Sequence, residues 1–239
     1  MSDFDLTEIK ALAWDVGGTV FDWHHSIKNE ISKLAEDSSR NIDPAQFTND
    51  WRTTMFELLQ PVREGLESWK NADQLHLEAL DIVLGKYDWP MTLKERTELN
   101  TIWHRLNAWP DAAENIEKLR SRYRVIVLTV LSWQIVVSSS KHNEISWDGA
   151  LSCEFLDHYK PHPEAYKKGA TLLGLKPEEV MMCAAHQHDL NNAAAAGLRT
   201  AYVHRPTEKG ADTPNPMPSI EEFDVVATDF NDLSGKLLA

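Results

Sequence analysis

Residues 9–19 read IKALAWDVGGT, a short apolar run that ends in an acid and two glycines. β-Branched and aromatic residues in such a run, followed by paired glycines, are typical of a buried strand that ends in a loop. Asp15 therefore lies at the end of the first predicted strand, where the chain can turn sharply and backbone amides can approach a ligand. A carboxylate there can act as a nucleophile, although an Asp before two glycines can also simply cap the turn.

Three further apolar runs have the same character, and each lies next to a helical pattern. The runs are at 124–130, 180–185 and 199–204, and the helical patterns are at 111–121, 163–174 and 189–197. Strands that alternate with helices pair in parallel, which predicts an α/β fold with a doubly wound parallel sheet. Ligands of such sheets bind beyond the carboxyl ends of the strands.

Residues 23–108 break this rhythm, because they contain no convincing strand and show helical periodicity instead, as at Ile27, Ile31 and Leu34. The simplest account is an all-helical insertion after the first strand. Residues 1–22 and 109–239 then form the α/β core, and residues 23–108 form a helical cap. The proline-rich stretch 206–219 is expected to be a surface loop.

The composition excludes several classes of partner. Thirty-seven acidic against 24 basic side chains give a formal net charge of −13, the wrong sign for neutralising nucleic acid phosphates or binding an anionic membrane. The N-terminus carries acids where a signal peptide needs positive charge, and no apolar run approaches the roughly eighteen residues of a membrane span. Cys153 and Cys183 lie in apolar contexts that favour buried thiols over a disulfide. We expect a cytoplasmic protein.

Three more polar residues are predicted near strand ends. Thr129 belongs to the run 124–130, Lys160 lies in HYKPHP before a helix, and Asp189 opens the helix after the run 180–185. An ammonium held near two carboxylates keeps them ionised. Taken singly, Lys160 would be a solvated surface residue and Asp189 an acid in the first turn of a helix. Together with Asp15 at the same edge of the sheet, they predict one site.

The order of these motifs resembles that of the haloacid dehalogenase superfamily over essentially the whole chain. The resemblance implies a Rossmannoid core with an inserted helical cap, and it makes Asp15 the nucleophile. Phosphatases of that superfamily carry a second aspartate where Gly17 stands here, and a metal-holding acid where Ala184 stands. A hard octahedral cation would be poorly held without them, so we expect a hydrolase that uses no metal and no other cofactor.

The type II (L-)2-haloacid dehalogenases lack the same two acids, and their pattern can be carried onto this chain residue by residue. The resemblance implies a small carboxylic acid as substrate, with water as the second reactant. The implied catalytic residues are Asp15, Thr19, which holds it, Lys160 and Asp189, which orients the lysine or the hydrolytic water. The implied substrate-binding residues are Arg52, which meets the departing halide, Thr129, which binds the substrate carboxylate, and Tyr166, His186, Val130 and Val16.

Two departures from that pattern leave the leaving group open. Val130 replaces an asparagine that helps to cradle the halide, and Ala184 replaces a serine. Losing donors to a developing anion can cost a few kcal/mol, on the order of a hundredfold in rate. A related enzyme opens the ring of L-azetidine-2-carboxylate, and its amine leaving group needs no anion cradle. Halide release and ring opening both remain candidate reactions.

Other readings of single residues and of the whole chain stay open. Arg52 can be a surface arginine and Tyr166 a packing residue, while His186 and His188 lack a third ligand at fitting spacing for a metal. Trp14, Trp23 and Trp133 are candidates to wall an apolar pocket. The rival functions are a magnesium-dependent phosphatase and a non-catalytic binding protein whose cleft is filled by side chains. A homodimer is possible by analogy with the family alone.

Overall fold

The computed structural model describes residues 5–239; residues 1–4, with which the predicted core segment 1–22 begins, lie outside the described residues. The described residues contain eight strands. In chain order they are β1 (Ala11–Trp14), β2 (Phe21–Asp22), β3 (Asn107–Ala108), β4 (Arg124–Thr129), β5 (Gly149–Ser152), β6 (Val180–Ala184), β7 (Arg199–Val203) and β8 (Val225–Ala227).

The described residues also contain nine α-helices, most of which begin at a side chain that caps the free backbone amides of the first turn. They are α1 (Trp23–Asp37), α2 (Pro44–Arg63), α3 (Ala72–Lys86), α4 (Leu93–Asn100), α5 (Ala112–Arg120), α6 (Trp133–His142), α7 (Pro163–Leu172), α8 (Gln187–Ala195) and α9 (Phe230–Leu238).

Six strands form one parallel sheet in the order β5–β4–β1–β6–β7–β8, flanked by helices. Every residue of β1 and β6 is buried, because central strands of a parallel sheet are covered on both faces. Trp14 at the end of β1 lies in register with Val127 and Cys183, so the residues that follow β1, β4 and β6 emerge at one edge. The predicted doubly wound α/β fold is confirmed, and its ligand-binding edge is where Asp15 lies.

The sequence pattern does not predict strands β5 and β8. β5 is a partly buried edge strand whose sequence, GALS, begins with a glycine and ends with a serine, and β8 is an edge strand of three residues. The first lacks a continuous apolar run, and the second is too short for one to be recognised. The expectation of no strand within 23–108 is wrong at the last two residues, because β3 pairs antiparallel with β2 where the chain leaves and re-enters the sheet region.

Helices α1 to α4 follow β2 and pack in sequence, α1 against α2, α2 against α3, and α3 against α4. Trp51 of α2 is fully buried among them; its indole Nε1 donates to the carbonyl of His76 at 2.7 Å, and its ring meets Trp103 edge to face. The loop between α2 and α3 contacts the segment before α7, where Tyr159 Oη donates to the carbonyl of Lys70 at 2.8 Å. The division of the chain into a core and a cap at residues 22 and 109 stays a prediction.

Two expectations about the chain's environment can be compared with the structure. Within residues 5–239, no helix has both the length and the apolar character needed to cross a membrane. Cys153 and Cys183 are buried and unpaired, which confirms them as free thiols. A cytoplasmic location stays a prediction.

The C-terminal helix α9 provides a test of the fold, because it packs against α5 and β8. We expect Leu237→Ala to lower the free energy of unfolding by about 2–5 kcal/mol, since Leu237 is fully buried and truncation leaves a cavity. The matched control is Leu172→Ala in α7, where the side chain is 58% exposed and the change is expected to stay within about 0.5 kcal/mol. Urea denaturation of both variants measures the difference, and equal losses would contradict this packing.

Candidate active site

A cleft of about 970 Å³ opens at the carboxyl edge of the sheet, between the strand ends and helix α2. Asp15 after β1, Lys160 before α7 and Asp189 in α8 line it from the sheet side, and Arg52 and Phe56 line it from α2. Residues far apart in the chain therefore meet in one concave space. A second cavity, of about 660 Å³, lies between α1 and α4 and is also lined by residues just after α1 and just before α4. None of the cleft residues named above lines it.

Asp15 is 5% exposed, and its two carboxylate oxygens have different surroundings. Oδ2 accepts a hydrogen bond from Thr19 Oγ1 at 2.9 Å and lies 3.2 Å from His186 Nδ1. Among the described residues, Oδ1 has a single donor, Lys160 Nζ, at 3.2 Å. Burial alone would raise the pKa of Asp15, but Lys160 and His186 outweigh it and hold that pKa well below its ordinary value. Asp15 is therefore ionised, with Oδ1 the less engaged oxygen.

Lys160 joins the two acids that the sequence placed at strand ends. Its buried Nζ lies 2.6 Å from Asp189 Oδ2 as well as 3.2 Å from Asp15 Oδ1. Burial alone would lower the pKa of Lys160, yet the two carboxylates raise that pKa above its ordinary value. Tyr166 donates from its hydroxyl to Asp189 Oδ1 at 2.6 Å, so both oxygens of Asp189 have donors. The three side chains form one buried polar network.

His186 bridges Asp15 to a second acid, Glu208. His186 Nε2 lies 2.9 Å from Glu208 Oε1, while its Nδ1 faces Asp15. Burial would lower the pKa of His186, but Glu208 and Asp15 raise it to about 10, so at neutral pH both ring nitrogens carry hydrogens and donate. Burial would raise the pKa of Glu208, but His186 lowers it to about 2. The pair is an imidazolium and a carboxylate.

Glu208 is 2% exposed and is fixed on several sides. Trp23 Nε1 donates to Glu208 Oε1 at 3.0 Å, and Asn215 Nδ2 donates to Oε2 at 3.2 Å. Gly18, with φ of +98°, passes so close that a Cβ at that position would lie 2.1 Å from Glu208 Oε1. Only glycine combines this backbone conformation with room for the carboxylate.

Arg52 is the cation that the helical segment contributes. It is 8% exposed, and its guanidinium carbon lies 4.6 Å from the ring centre of Phe56 and 5.5 Å from those of Trp23 and Trp103. Burial lowers the pKa of Arg52 to about 10, which leaves it charged at neutral pH. Nη1 has no hydrogen-bond partner within residues 5–239. A buried cationic donor without a partner, in the wall of a cleft, suits an anion.

Gly17 lies close to the side chain of Arg52. A Cβ at Gly17 would lie 3.2 Å from Arg52 Nη2 and 3.3 Å from the Leu131 side chain, which is tighter than an ordinary van der Waals contact. A side chain at this position would require these neighbours to shift by a few tenths of an ångström.

The structure brings most of the predicted site residues together but not all of them. Asp15, Lys160, Asp189, Tyr166, His186, Arg52 and Val130 line the cleft, and Thr19 lies behind Asp15. Thr129 and Val16 are fully buried and do not line the cleft. The hydroxyl oxygen of Thr129 accepts from the Leu131 amide at 3.2 Å, so the role predicted for it as a ligand of the substrate carboxylate has no support in this geometry.

Of the three tryptophans that flank the motifs, Trp23 lines the cleft. Trp14 is fully buried against Phe230, with ring centres 5.0 Å apart, and Trp133 is largely exposed outside the cleft. The apolar wall that the sequence suggested therefore includes Trp23 but neither Trp14 nor Trp133.

Glu208 and Arg63 are among the cleft residues that were not identified from the sequence. Glu208 lies in the stretch 206–219, which is mostly exposed as expected, so that a single acid there resembles a solvated residue. Arg63, near the end of α2, lines the cleft with an unpaired Nε, and an arginine in the last turn of a helix is ordinarily a favourable surface residue. Neither position carries a sequence signal of burial.

The donor set around Asp15 does not suit a divalent cation. The two oxygens of Asp15 face the cationic groups of Lys160 and His186, which would repel a second positive charge. Gly17 and Ala184 supply no carboxylate. In the part of the chain that the structure describes, no group of three or more His, Cys, Asp or Glu side chains is arranged to hold a metal ion.

Comparisons with known proteins agree with this geometry. Residues 9–197 match the family model described as haloacid dehalogenase-like hydrolase. The (S)-2-haloacid dehalogenase 4A of Burkholderia cepacia is 28% identical over 206 residues, 84% of this chain and 85% of that protein. The crystal structure of the L-2-haloacid dehalogenase PA0810 has 31% identity and a TM-score of 0.91, covering 96% and 99% of the two chains. That of the defluorinating L-2-haloacid dehalogenase Rha0230 has 32% identity and a TM-score of 0.90, covering 97% and 96%.

The shifted pKa of His186 predicts a pH-dependent contribution to stability. The folded pKa of about 10 exceeds the ordinary value of 6.5. The pairing of His186 with Glu208 and Asp15 therefore stabilises the fold fully below about pH 6.5, and this contribution is lost as the pH rises towards 10. We expect the gap in melting temperature between the wild-type protein and His186→Asn to be largest at pH 6 and to shrink steadily up to pH 10. His142→Asn, at an exposed histidine outside the cleft, is the control; a gap for His186→Asn that grows with pH would contradict the assignment.

Proposed function

We propose a reaction on the premise that this chain belongs to the haloacid dehalogenase-like hydrolase family, in the branch of the L-2-haloacid dehalogenases. The family that the motifs indicated is thereby confirmed. The reaction that we propose is hydrolysis of the carbon–halogen bond of a small 2-substituted carboxylic acid through an ester on Asp15. One observation carries the proposal: a buried, ionised carboxylate with one lightly engaged oxygen shares a cleft with an unpaired guanidinium, that of Arg52.

In the first step Asp15 Oδ1 attacks the carbon that bears the halogen. The carbon–oxygen bond of an ester forms, and the carbon–halogen bond breaks with its electron pair on the halide. Displacement at saturated carbon is in line, so the halide leaves on the side of the carbon away from Asp15. Arg52 supports this step, because it lines the cleft and its charged Nη1, which has no hydrogen-bond partner within the described residues, can stabilise the departing anion.

In the second step water attacks the carbonyl carbon of the ester, and Asp15 is regenerated. Asp189, which lies on the other side of Lys160 from Asp15, accepts the water proton and passes it to the departing product oxygen. The oxygen that leaves with the product is Asp15 Oδ1. The product is a 2-hydroxy acid, and one halide and one proton are released for each water consumed.

The substrate carboxylate needs a partner other than Thr129. Arg63 is suited to that role, since it lines the same cleft and its Nε has no hydrogen-bond partner within the described part of the chain. Burial lowers the pKa of Arg63, but the ordinary pKa of an arginine is so high that the side chain remains a cation. Arg52 then stabilises the departing halide, and Arg63 binds the substrate carboxylate.

Ring opening of L-azetidine-2-carboxylate is the second candidate reaction. Val130 favours it, because this apolar side chain lines the cleft where the related dehalogenases are expected to carry an amide donor. Arg52 opposes it, since a guanidinium beside the leaving group repels a departing ammonium. We therefore place halide release first.

The other two candidates fit the cleft less well. A phosphatase would need an acid at position 17, but this residue is a glycine, and the Arg52 guanidinium lies 3.2 Å from where a Cβ would be. A non-catalytic binding protein was expected to have its cleft filled by side chains, whereas the volume of about 970 Å³ holding Asp15 and Lys160 is open.

A panel of substrates tests the leaving group. Chloroacetate, fluoroacetate, L-2-chloropropionate, L-azetidine-2-carboxylate and p-nitrophenyl phosphate are each assayed with magnesium and with a chelator. We expect halide release from the haloacids under both conditions and no phosphate release, because no divalent ion takes part. Turnover of the azetidine alone would establish the second candidate. Phosphate release that stops with chelator would overturn the proposal.

Isotope labelling tests the ester. With enzyme in excess over L-2-chloropropionate in ¹⁸O-water, we expect the first product to carry no label in its hydroxyl group, because that oxygen comes from Asp15. Later turnovers carry the label. Mass spectrometry of the product measures this, and a fully labelled first product would rule out attack by Asp15. Asp15→Asn is the control and is expected to lose activity by about 10³-fold or more.

A further inference from the structure

We propose that His186 and Thr19 bind the oxyanion that forms on Oδ2 of the Asp15 ester, and that Glu208 is the positioning residue that holds His186 for this task. The inference rests on the proposed ester mechanism and assigns the stabilisation of the oxyanion in the second step to residues outside the Lys160 and Asp189 network. His186 and Thr19 touch the reacting group, whereas Glu208 acts through His186.

The two oxygens of Asp15 are prepared for different roles. Thr19 Oγ1 accepts from the Ala185 amide at 2.9 Å, so its own hydrogen is free to point at Asp15 Oδ2, 2.9 Å away. His186 Nδ1 approaches the same oxygen. Two donors therefore hold Oδ2 in place, and Oδ1 is left to attack the substrate. After ester formation Oδ2 is the carbonyl oxygen, already between two donors.

The position of His186 excludes it from the first step. In-line displacement sends the leaving group away from Asp15, while His186 contacts Asp15 itself. Its Nδ1–H therefore cannot meet the halide. The carbonyl oxygen of the ester, by contrast, becomes negative when water adds to the carbon beside it, and hydrogen-bond donors already in place stabilise such a charge most effectively.

Glu208 matters most when Asp15 is esterified. The ester has no negative charge, so His186 then loses one of the two anions that keep its imidazole protonated. Glu208 remains 2.9 Å from Nε2, held by Trp23 and Asn215. The imidazolium is thereby preserved at the stage at which the oxyanion forms. Gly18 has no side chain and so leaves the room that the Glu208 carboxylate needs, which means that the backbone is shaped to hold Glu208 in this place.

The atoms and electrons of this step balance. The water oxygen bonds to the carbonyl carbon, its proton passes to Asp189, and the carbonyl electron pair moves onto Oδ2. When the carbonyl reforms, the bond from carbon to Oδ1 breaks, and the product oxygen takes the proton from Asp189. Asp15 then releases to solvent the proton left on its new oxygen. His186 and Thr19 donate hydrogen bonds throughout and transfer no proton.

The test separates the two half-reactions in Glu208→Gln. Enzyme is mixed rapidly with L-2-chloropropionate, halide is followed in time, and the quenched protein is weighed intact. We expect one equivalent of halide at nearly the wild-type rate, then turnover slowed about 10- to 100-fold, with most of the enzyme carrying the ester mass. Glu221→Gln, at an exposed glutamate, is the matched control and is expected to behave as wild type.

The outcomes distinguish the inference from the proposed function. If the wild-type protein releases no halide from any haloacid, the proposed function fails and the inference fails with it. If the wild-type protein turns over but Glu208→Gln accumulates no ester, or slows both steps equally, the inference alone is overturned. Gln keeps an acceptor for Trp23 Nε1, and melting temperatures compare the folding of the two variants.

A second measurement needs no turnover. The ring nitrogens of His186 are followed by ¹⁵N NMR, with His186→Asn identifying the signals. The ring contacts the carboxylates of Asp15 and Glu208 and lies 5.7 Å from the ring of His188, whose pKa burial lowers. We expect the ring to stay protonated far above pH 7 and to titrate at lower pH in Glu208→Gln. Titration near 6.5 in the wild-type protein would overturn the role of Glu208.

Discussion

The site depends on the two ion pairs made by the buried ammonium of Lys160. This ammonium joins Asp15, at the end of β1, to Asp189, in α8, and without it two desolvated carboxylates would repel each other. Moving these groups out of water is costly, and only close opposite charges with satisfied hydrogen bonds offset the cost. The imidazolium of His186 answers Asp15 and Glu208 in the same way. Arg52 and Arg63 line the same cleft, each with a nitrogen that has no hydrogen-bond partner within the described residues.

The part of the fold and site that could be predicted from the sequence is the part with long, regular patterns. β1 and β6 are continuous apolar runs, and the polar residues after them must emerge at one edge because parallel strands share a direction. β5 has no continuous apolar run, because it begins with a glycine and ends with a serine, and β8 has only three residues. Glu208 is buried by tertiary contacts with Trp23 and His186, which no local pattern encodes.

Thr129 shows the limit of carrying a motif from a family to one chain. Its position at the end of β4 is as predicted, but its side chain bonds to the Leu131 amide and stays behind the cleft wall. Strand-end position determines which residues are near a site, whereas rotamer and packing decide which of them reach it. Tyr166 illustrates the opposite result, since the resemblance placed it in the site and its hydroxyl does reach Asp189.

The close approach of Arg52 to Gly17 joins two positions that lie 35 residues apart in the chain. A Cβ at 17 would lie 3.2 Å from Arg52 Nη2, so the guanidinium would have to shift by a few tenths of an ångström to admit even a methyl group. Residues in contact do not respond to substitution independently, so the effect of a change at either position depends on the residue at the other. Engineering a new side chain beside the nucleophile would therefore involve both positions.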